Sequence, residues 1–334
     1  MTAFALAITA AAGASPMAHS LVPIVRQRTL LIDGDGLAYY CAGNSECEPG
    51  QARQQLLNKI ATAKAACGAE HVKVLLTSRG SHKGHRYAVA TVKPYQGQRV
   101  NSRRPDNWEY LRTLMESAQV PFQVETTATA EADDLFGKFS HELGPESVVI
   151  YTQDKDMRMV PGWHLDWVNH RMVHVPLECY RLTFNDKTYG RKWFWLQMLH
   201  GDTADNIPGL PKYVVDGKTK PVGEVTANKL LAVTRCEEEA SLIVASLYEG
   251  YYGEGWLTHL YEQAILLWMR RRPDVWQDCA FDLGPIASLF SSATEEQINA
   301  IKELRRRVNL ADSINNAAAN GYIINEMAGG AATP

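Results

Sequence analysis

Eight carboxylates in four separate segments are the side chains whose types and spacing can do chemistry. They are Asp33, Glu131, Asp133, Asp134, Asp154, Asp156, Asp202 and Asp205. An extended loop points the two acids of "QDKD" the same way, and one helical turn stacks the two acids of "GDTAD" on one face. Crowded carboxylates repel each other, and a hard divalent cation relieves that repulsion. Two such ions about 4 Å apart can hydrolyse a phosphodiester, so we predict a metal centre.

Short apolar runs alternate with helical patterns in the first half of the chain and would position these acids. "RTLLID", residues 71–77, "PFQVETT" and residues 147–152 favour strands, and "WHLDWV" is a candidate fifth strand. The segments between them have helical spacing, including residues 106–119 and the segment that begins with "AEADD". This alternation predicts an α/β fold with a mostly parallel sheet covered on both faces. The acids follow the predicted strands, where such sheets bind ligands.

The predicted organisation has four parts. Residues 1–26 are expected to be a disordered extension, because no Lys or Arg precedes their apolar stretch and the first basic residue is Arg26. Residues 27–190 form the predicted α/β core. Strand signals fade after residue 190, so residues 191–310 are predicted to be helical, and residues 311–334 form a low-complexity tail that is expected to be flexible.

Composition excludes several classes of protein. The 334 residues are 46% hydrophobic and 21% charged, which is typical of a globular protein, and the net charge is −3. No apolar run reaches the about 18 residues that span a membrane. The six cysteines form no C-x-x-C pair, which argues against a zinc site or a disulfide framework and favours a reducing cytoplasm. We expect a cytoplasmic protein without a membrane partner.

Residues 79–104 form a basic segment, with seven Lys or Arg residues and no acid in a chain of slightly negative charge. Its cations can contact phosphates, and Tyr87 and Tyr95 can stack on the bases of a single strand. A solvated loop is the alternative interpretation. The candidate nucleic-acid contacts in this segment are Lys93, Tyr95, Arg103 and Arg104.

Four motifs resemble those of the flap endonuclease and 5′–3′ exonuclease superfamily, above all its phage 5′–3′ exonucleases. They are "LIDGDG" (31–36), "EADD" (131–134), "YTQDKDMRMV" (151–160) and "GDTADNIPGLP" (201–211). The resemblance implies a PIN-like parallel α/β core with a helical arch at 79–104 and a helix-three-turn-helix in the helical region. It implies metal-dependent hydrolysis of DNA at 5′ ends, flaps and nicks. The eight carboxylates become the site of two Mg²⁺ ions, for which Mn²⁺ is a possible substitute.

The stretch "VGEVTANKLL" resembles the second half of the family's DNA-binding hairpin and helix, which often holds a potassium ion. On that resemblance Gly223, Thr226 and Lys229 are DNA contacts and K⁺ is a second cofactor. Here the motif is interrupted by "KYVVDGKTKP" between "PGLP" and "VGEV".

Two residues depart from the family's pattern. Ser78 stands where the family usually has an Asp after the second strand, and "PYQGQR" has Gln96 where the family has a Lys. Arg99 of that motif remains, and Lys83 or Lys93 can supply the lost charge. The resemblance, read with these departures, assigns catalytic roles to Lys83, Arg86, Gln96 and Arg99.

The favoured prediction is a monomeric, Mg²⁺-dependent 5′ nuclease that acts on DNA, and on RNA primers, in phage or prophage replication or repair, with a replication protein as a partner. Two alternatives stay open. A PIN-type ribonuclease accounts for the acids but not for "GDTADNIPG" and the helix after it. A DNA-junction-binding protein that has lost catalysis accounts for Ser78 and Gln96.

Overall fold

A six-stranded sheet is at the centre of the structure, a computed structural model that describes residues 22–99, 103–271, 284–289 and 294–329. Its strand order is β3-β2-β1-β4-β5-β6. The strands are β1 (Val25–Asp33), β2 (Ala69–Thr77), β3 (Gln123–Thr127), β4 (Val148–Tyr151), β5 (Gly162–Leu165) and β6 (Met172–Val175). The first five run parallel, and β6 pairs antiparallel with β5. The predicted α/β fold with a mostly parallel sheet is confirmed.

Helices cover both faces of this sheet, and two small hairpins lie outside it. The helices are α1 (Gly34–Cys41), α2 (Pro49–Cys67), α3 (Arg86–Val89), α4 (Trp108–Glu116), α5 (Ala132–Leu143), α6 (Arg191–His200), α7 (Glu224–Leu230), α8 (Glu237–Tyr252), α9 (Trp256–Leu267) and α10 (Glu295–Gly329). The hairpins are β7 (Leu182–Phe184) with β8 (Lys187–Tyr189), and β9 (Lys212–Val215) with β10 (Lys218–Pro221). Among the described helices, none has the length and apolar character to cross a bilayer.

Alternate residues of the central strands bury two separate hydrophobic clusters. In β1, Leu30 and Ile32 face the cluster that also contains side chains of α1, α2 and α4, whereas Leu31 faces the cluster on the opposite side. Parallel strands covered on both faces are expected to be apolar, as β1 is over its fully buried residues Leu30, Leu31 and Ile32. The second cluster runs without a break from the sheet into α5, α6, α8 and α9. The predicted core (27–190) and the predicted helical region (191–310) therefore share one hydrophobic cluster.

The strand order places a crevice between β1 and β4. The chain passes from β1 outward to β2 and β3, and then returns to β4 on the other side of β1. The connections that leave β1 and β4 consequently diverge at the carboxyl ends of these strands, which is where open α/β sheets bind ligands. Asp33 is the last residue of β1, and Asp154 comes three residues after the end of β4.

Both ends of the chain differ from the boundaries predicted from sequence. Residues 1–21 of the predicted extension lie outside the described residues, and β1 already begins at Val25. At the other end, residues 311–329 of the predicted tail continue α10 as helix, and residues 330–334 lie outside the description. Low complexity suggested a loose segment there, but an Ala- and Asn-containing sequence can extend a helix that is already nucleated.

The basic segment predicted as a helical arch has only short helical turns in its described part. These are a 3₁₀ turn at Lys83–His85, α3, and a second 3₁₀ turn at Gly97–Arg99. The segment packs down on the molecule, since Arg86 and Val89 within it are fully buried. Residues 100–102 lie outside the description.

The C-terminal helix α10 is joined to this segment through a buried carboxylate. Glu262 of α9 accepts hydrogen bonds from the backbone N–H and the hydroxyl of Thr91, at 2.9 and 2.6 Å. Nη1 of Arg307 in α10 lies 2.8 Å from Oε2 of the same carboxylate and 3.0 Å from the carbonyl oxygen of Val89. Three distant parts of the chain thus meet at one ion pair, in which the Glu262 side chain is 1% exposed and that of Arg307 is 15% exposed.

Candidate active site

The carboxyl ends of β1 and β4 are joined through one threonine. Oδ1 of Asp33 accepts a hydrogen bond from the N–H of Gly36 at 2.9 Å and caps α1. Its Oδ2 lies 3.2 Å from the Thr152 hydroxyl, which also accepts the N–H of Asp154 at 2.9 Å. A Cβ at Gly36 would collide with the Asp33 carboxylate, so the "DGDG" turn needs glycine there. This turn fixes Asp33 and Asp154 on the same side of the crevice.

Asp156 and Asp202 are held by two polar side chains that the sequence did not single out. Nε2 of Gln197 in α6 donates to Asp156 at 2.6 Å, and Nζ of Lys155 lies 2.6 Å from Oδ1 of Asp202. The loop after α6 is closed by paired backbone hydrogen bonds between Asp202 and Ile207, at 2.8 and 2.7 Å. Asp202 and Asp205 are therefore aligned by a tight turn, and not by the predicted helical turn.

Glu131 and Asp205 are connected by Tyr95 and Gln96. The Tyr95 hydroxyl lies 2.7 Å from Oε2 of Glu131 and 2.9 Å from Oδ2 of Asp205. Nε2 of Gln96 lies 3.4 Å from Oε1 of Glu131 and 3.1 Å from Oδ1 of Asp205. Only 4% of Tyr95 is exposed, so the predicted stacking of this ring on a base is wrong for the structure as it stands. Tyr87 is 51% exposed, so its stacking on a base stays a prediction.

Arg86 and Asp134 form a fully buried ion pair, which corrects the catalytic and metal-binding roles predicted for them. The two guanidinium nitrogens lie 2.7 and 2.9 Å from the two Asp134 oxygens. The N–H of Arg270 also donates to Asp134, at 3.1 Å. Burial alone would raise the pKa of Asp134, but the charge and hydrogen bonds of Arg86 outweigh it and bring this pKa to about 2. Asp134 is thus committed to the protein interior.

The remaining carboxylates crowd each other electrostatically. Burial raises the pKa of Asp133 well above its ordinary value, and the charges of Asp154 and Asp33 add to the increase. Burial, and then the charge of Asp33, raise the pKa of Asp154 to about 7, although the N–H of Asp156 opposes this. The pKa of Asp156 is also raised well above its ordinary value, first by burial and then by Asp154. Carboxylates from four distant segments therefore influence one another's pKa across one crevice.

The chemistry of these donors fits a hard divalent cation. Asp133 has no hydrogen-bond or ion-pair partner among the described residues, and the charges that shift its pKa are those of other carboxylates. Carboxylate oxygens are the ligands that Mg²⁺ prefers, and a bound cation would remove the repulsion that raises these pKa values. Within the described ranges, no three His, Cys, Asp or Glu side chains are already grouped as metal ligands. Lysine, arginine and amide groups occupy several carboxylate oxygens instead.

Two cations border the cluster on the side of the basic segment. Nζ of Lys83 lies 3.4 Å from Oε1 of Glu131 and contacts the side-chain oxygen of Gln96. The Arg99 guanidinium contacts Oδ1 of Asp205 and is 49% exposed. Lys83 has a φ of 49°, in the left-handed region that non-glycine residues rarely adopt. Its ammonium faces the acids next to the side-chain amide of Gln96.

Position 78 holds no charge in the structure. Ser78 follows β2, its N–H donates to the carbonyl oxygen of Thr127 at 2.9 Å, and its own carbonyl accepts the N–H of Ser81 at 3.1 Å. Asp35 is the nearby acid, but it accepts the N–H of Thr77 at 3.1 Å and is paired with Arg112. Asp35 therefore does not supply the acidic group that is missing at position 78.

The other predicted DNA contacts are on the surface. Lys93 is exposed, Arg103 pairs with Asp106 at 3.4 Å, and Arg104 lies over the Trp108 ring at 4.1 Å. Their contacts with DNA stay predictions, as does the role of Lys229, which is exposed on α7.

Gly223 precedes α7, close to the partly buried Thr226. Its φ of −111° and the open space around its Cα show that the protein itself does not require glycine there. Its proposed approach to a phosphate, like the contact assigned to Thr226, stays a prediction. The insertion before it forms the β9–β10 hairpin, which the sequence did not reveal. The signal was present, because "Asp-Gly" between β-branched residues is typical of a two-residue hairpin turn.

Comparison with solved structures finds the same fold in proteins of phage T5. A T5 protein co-crystallised with metal ions has a TM-score of 0.52 at 16% identity, over 84% of this chain and 99% of that chain. The T5 5′-exonuclease with zinc bound gives 0.52 at 17% identity with the same coverage. A variant T5 flap endonuclease, in a pseudo-enzyme–product complex with DNA and metal ions, gives 0.53 at 17% identity, also with that coverage. No protein-family model and no curated protein matches the chain.

Proposed function

We propose that this protein is a divalent-metal-dependent nuclease that hydrolyses DNA phosphodiesters at 5′ ends, nicks and flaps. The convergence of Asp33, Asp133, Asp154 and Asp156 on one crevice carries the proposal, because Asp33 raises the pKa of Asp133 and Asp154, and Asp154 raises that of Asp133 and Asp156. The fold shared with the T5 5′-exonuclease and flap endonuclease supports it. A phage or prophage role in replication or repair, in contact with a replication protein, belongs to the same proposal.

Seven carboxylates are proposed to hold the metal, and Asp134 is left out because Arg86 uses both of its oxygens. They are Asp33, Glu131, Asp133, Asp154, Asp156, Asp202 and Asp205. Two Mg²⁺ ions, for which Mn²⁺ can substitute, would supply a nucleophilic water and stabilise the leaving oxygen. Gln197 and Tyr95 would orient these carboxylates, as partners of metal ligands commonly do.

The basic segment is proposed to hold the scissile phosphate. Lys83 and Arg99 border the acidic cluster, so their charges face the place where a phosphate oxygen would gain negative charge. Gln96, between them, positions Lys83 through its side-chain oxygen. Both cations are now paired with Glu131 or Asp205, and metal binding to those acids would release them for the phosphate. Lys93 and the exposed Tyr87 extend this surface outward and are proposed to contact a single-stranded 5′ end.

The second candidate is a DNA-junction-binding protein without catalysis. Two observations favour it: an uncharged Ser78 stands at the end of β2, and Lys155 already neutralises Asp202. A protein of this kind would keep the DNA contacts and lose the metal chemistry. A potassium site beside α7 is compatible with both candidates, because it would hold duplex DNA and not the scissile bond.

A flap substrate labelled at either end distinguishes these candidates. The protein is incubated with a 5′-flap DNA in Mg²⁺, in Mn²⁺ or in EDTA, and an RNA of the same sequence is tested in parallel. Metal-dependent release of short 5′ products is the result expected for the nuclease. DNA binding without cleavage in any metal would support the junction-binding protein, and cleavage of the RNA alone would support a PIN-type ribonuclease.

A double substitution tests the assigned site. Asp154→Asn with Asp156→Asn removes two central carboxylates while keeping their shape, and we expect cleavage to be lost and DNA binding to be kept or tightened, since less negative charge faces the phosphates. The matched control is Asp186→Asn with Asp216→Asn, two exposed acids at positive φ, which asparagine also tolerates. Full activity in the first double variant would refute the site.

A further inference from the structure

Lys155 stands in the sequence between two of the proposed metal ligands, Asp154 and Asp156. It begins a 3₁₀ turn, Lys155–Met159, before which Oδ1 of Asp154 accepts the N–H of Asp156 at 2.8 Å. Nζ of Lys155 lies 2.6 Å from Oδ1 of Asp202, which belongs to the loop after α6. This lysine therefore places a positive charge between acids from two separate segments of the chain.

The surroundings of Lys155 keep its ammonium charged. The side chain of Asp202 is 3% exposed, and that of Lys155 is 32% exposed. Burial opposes the charged form, but the hydrogen bond and charge of Asp202, and then the charges of Asp156 and Asp154, raise the pKa of Lys155 above its ordinary value. One ammonium thus interacts with three carboxylates that are proposed to hold metal.

The acids on the other side of the crevice have no such cation. Asp33 is hydrogen-bonded to the N–H of Gly36 and to the Thr152 hydroxyl, which are both uncharged. Within the described ranges, no Lys or Arg side chain forms an ion pair with Asp33, Asp133 or Asp154. Burial is the largest cause of the raised pKa values of Asp133 and Asp154, and the charges that add to it are those of other carboxylates. The crevice therefore has one half with a resident cation and one half without.

We propose that the ammonium of Lys155 competes with one of the two metal ions, so that the crevice binds a first divalent ion tightly and a second only weakly. This inference rests on the proposed metal-dependent nuclease and assigns an order to its two metal sites. The acids that hold the first ion are those without a cation, namely Asp33, Asp133 and Asp154. Asp156 and Asp202 hold the second ion, which requires Lys155 to leave Asp202. A lysine side chain has a flexible four-carbon stem, so its ammonium can leave while the backbone stays in place.

A purely structural role is the alternative for Lys155. A lysine paired with a nearly buried acid can serve only to keep that acid, and the loop that carries it, in place. The two roles have opposite consequences for metal binding. If Lys155 competes with a metal ion, removing its charge tightens the binding of that ion. If Lys155 only holds the loop, removing its charge loosens the loop and brings no gain in affinity.

The test is Lys155→Met, which keeps an unbranched side chain and removes its charge. Mn²⁺ is titrated into the full-length protein without DNA, and free Mn²⁺ is measured by electron paramagnetic resonance. For the unsubstituted protein we expect two sites of unequal affinity. In the variant we expect the affinity of the weaker site to rise about 10–100-fold, between the effects of a screened and a buried charge. The affinity of the tighter site should change less.

The matched control is Lys138→Met in α5. The Lys138 side chain is 27% exposed and lies 4.0 Å from Glu142, so the control removes the same charge from a pair that includes none of the proposed metal ligands. It should leave both Mn²⁺ affinities unchanged. Lys155→Arg keeps the charge and is expected to keep the weaker site weak. Lys155→Gln, a second uncharged variant, is used if circular dichroism shows that the methionine variant does not fold.

Each result decides the inference separately from the proposed nuclease. Equal affinities of the two sites in the unsubstituted protein, no Mn²⁺ binding, or an equal gain in Lys138→Met would overturn it. An unchanged weaker site in the uncharged variants, or the failure of both to fold, would show the structural role instead. Because the titration contains no DNA, the competition can be found even if the flap assay shows no nuclease, and it can be refuted while cleavage persists.

Discussion

The Tyr95 hydroxyl lies 2.7 Å from Oε2 of Glu131, with Asp205 at 2.9 Å on its other side. Glu131 precedes α5 and Asp205 belongs to the loop after α6, so this one hydroxyl joins acids that are 74 residues apart in sequence. A phenol has a single proton to donate, and it cannot fully satisfy two carboxylates. Burial and the two acids accordingly raise the pKa of Tyr95 well above its ordinary value, because the phenolate form would add a third negative charge.

Replacing Tyr95 by Phe is expected to weaken metal binding. The change keeps the buried ring and removes only the hydroxyl, so Glu131 and Asp205 lose the nearer of their two shared donors and keep only the longer contacts of Gln96. Partners of metal ligands typically contribute about 10–100-fold in metal affinity. The measurement is the Mg²⁺ concentration that gives half the maximal single-turnover cleavage rate. Tyr87→Phe, at the exposed ring beside it, is the control, and an equal Mg²⁺ requirement in both variants would contradict the role of Tyr95.

Replacing Lys83 by Ala is expected to slow cleavage at saturating Mg²⁺ about 10²–10³-fold, since a positioned charge next to the reacting phosphate would be lost. Lys93→Ala, at an exposed lysine of the same segment, should weaken DNA binding and leave the single-turnover rate at saturating protein unchanged. Adding Gln96→Lys to Lys83→Ala is expected to restore part of the rate, because the new ammonium would face the same two acids. Equal rates for Lys83→Ala and the unsubstituted protein would remove Lys83 from the site.

Replacing Arg86 by Met is expected to destabilise the fold. Asp134 would be left buried without its cation, and breaking a buried pair in this way costs about 3–5 kcal/mol in the free energy of unfolding. Adding Asp134→Leu should recover a large part of the loss, because the two residues interact directly. Urea unfolding followed by circular dichroism measures both variants. If Arg86→Met unfolds at the same urea concentration as the unsubstituted protein but fails to cleave DNA, Arg86 is a catalytic residue after all.

His164 is expected to lower the stability of the protein as the pH drops from about 6.5 towards 4, in opposition to Asp133, Asp154 and Asp156, whose raised pKa values favour the folded state in acid. Burial in β5 lowers the pKa of this imidazole to about 4, and its Nε2 lies 2.8 Å from the carbonyl oxygen of Val160. At this position the unfolded chain binds a proton near pH 6.5 and the folded chain does not, so protonation of His164 favours unfolding. The contribution approaches about 3 kcal/mol at pH 4.

The matched variant for this pH dependence is His164→Gln, whose side-chain amide can still donate to Val160. On going from pH 7 to pH 4.5, its free energy of unfolding should rise relative to that of the unsubstituted protein. Parallel pH profiles for the two proteins would exclude His164 as a source of the acid sensitivity.

The sheet and the positions of most acids could be predicted from the sequence because both depend on local patterns. Apolar runs that end in Asp33 or just before Asp154 are visible in the chain, and parallel strands necessarily bring such ends to one edge. The pairing of acids with cations could not be predicted, because it depends on side chains that meet only in the folded state. Asp134 looks like its neighbour Asp133 in sequence, and only the fold places Arg86 beside it.

The burial of Tyr95 and the contact of Gln197 could not be predicted from the sequence, for a physical reason. Tyr95 lies among lysines and arginines, which suggested an exposed ring, but its hydroxyl finds two buried acids and its ring is covered. Gln197 lies in the largely apolar helix α6, and only the fold brings its amide to Asp156. A polar residue within a largely buried helix can indicate a functional contact, and an Asp-Gly turn can indicate a hairpin. Hydrophobic periodicity alone detects neither signal.

The ion pair between Glu262 and Arg307 has a consequence for how the molecule is made. Arg307 follows Glu262 by 45 residues and is therefore synthesised after it. Until it arrives, Glu262 and the loop at Thr91 lack the cation that neutralises their shared site. Domains generally fold from the N-terminus during synthesis, so the loop at Thr91 would acquire this contact only after Arg307 has been made. A nascent chain would contain the carboxylates from Asp33 to Asp205 before it contains the arginine that fixes the basic segment.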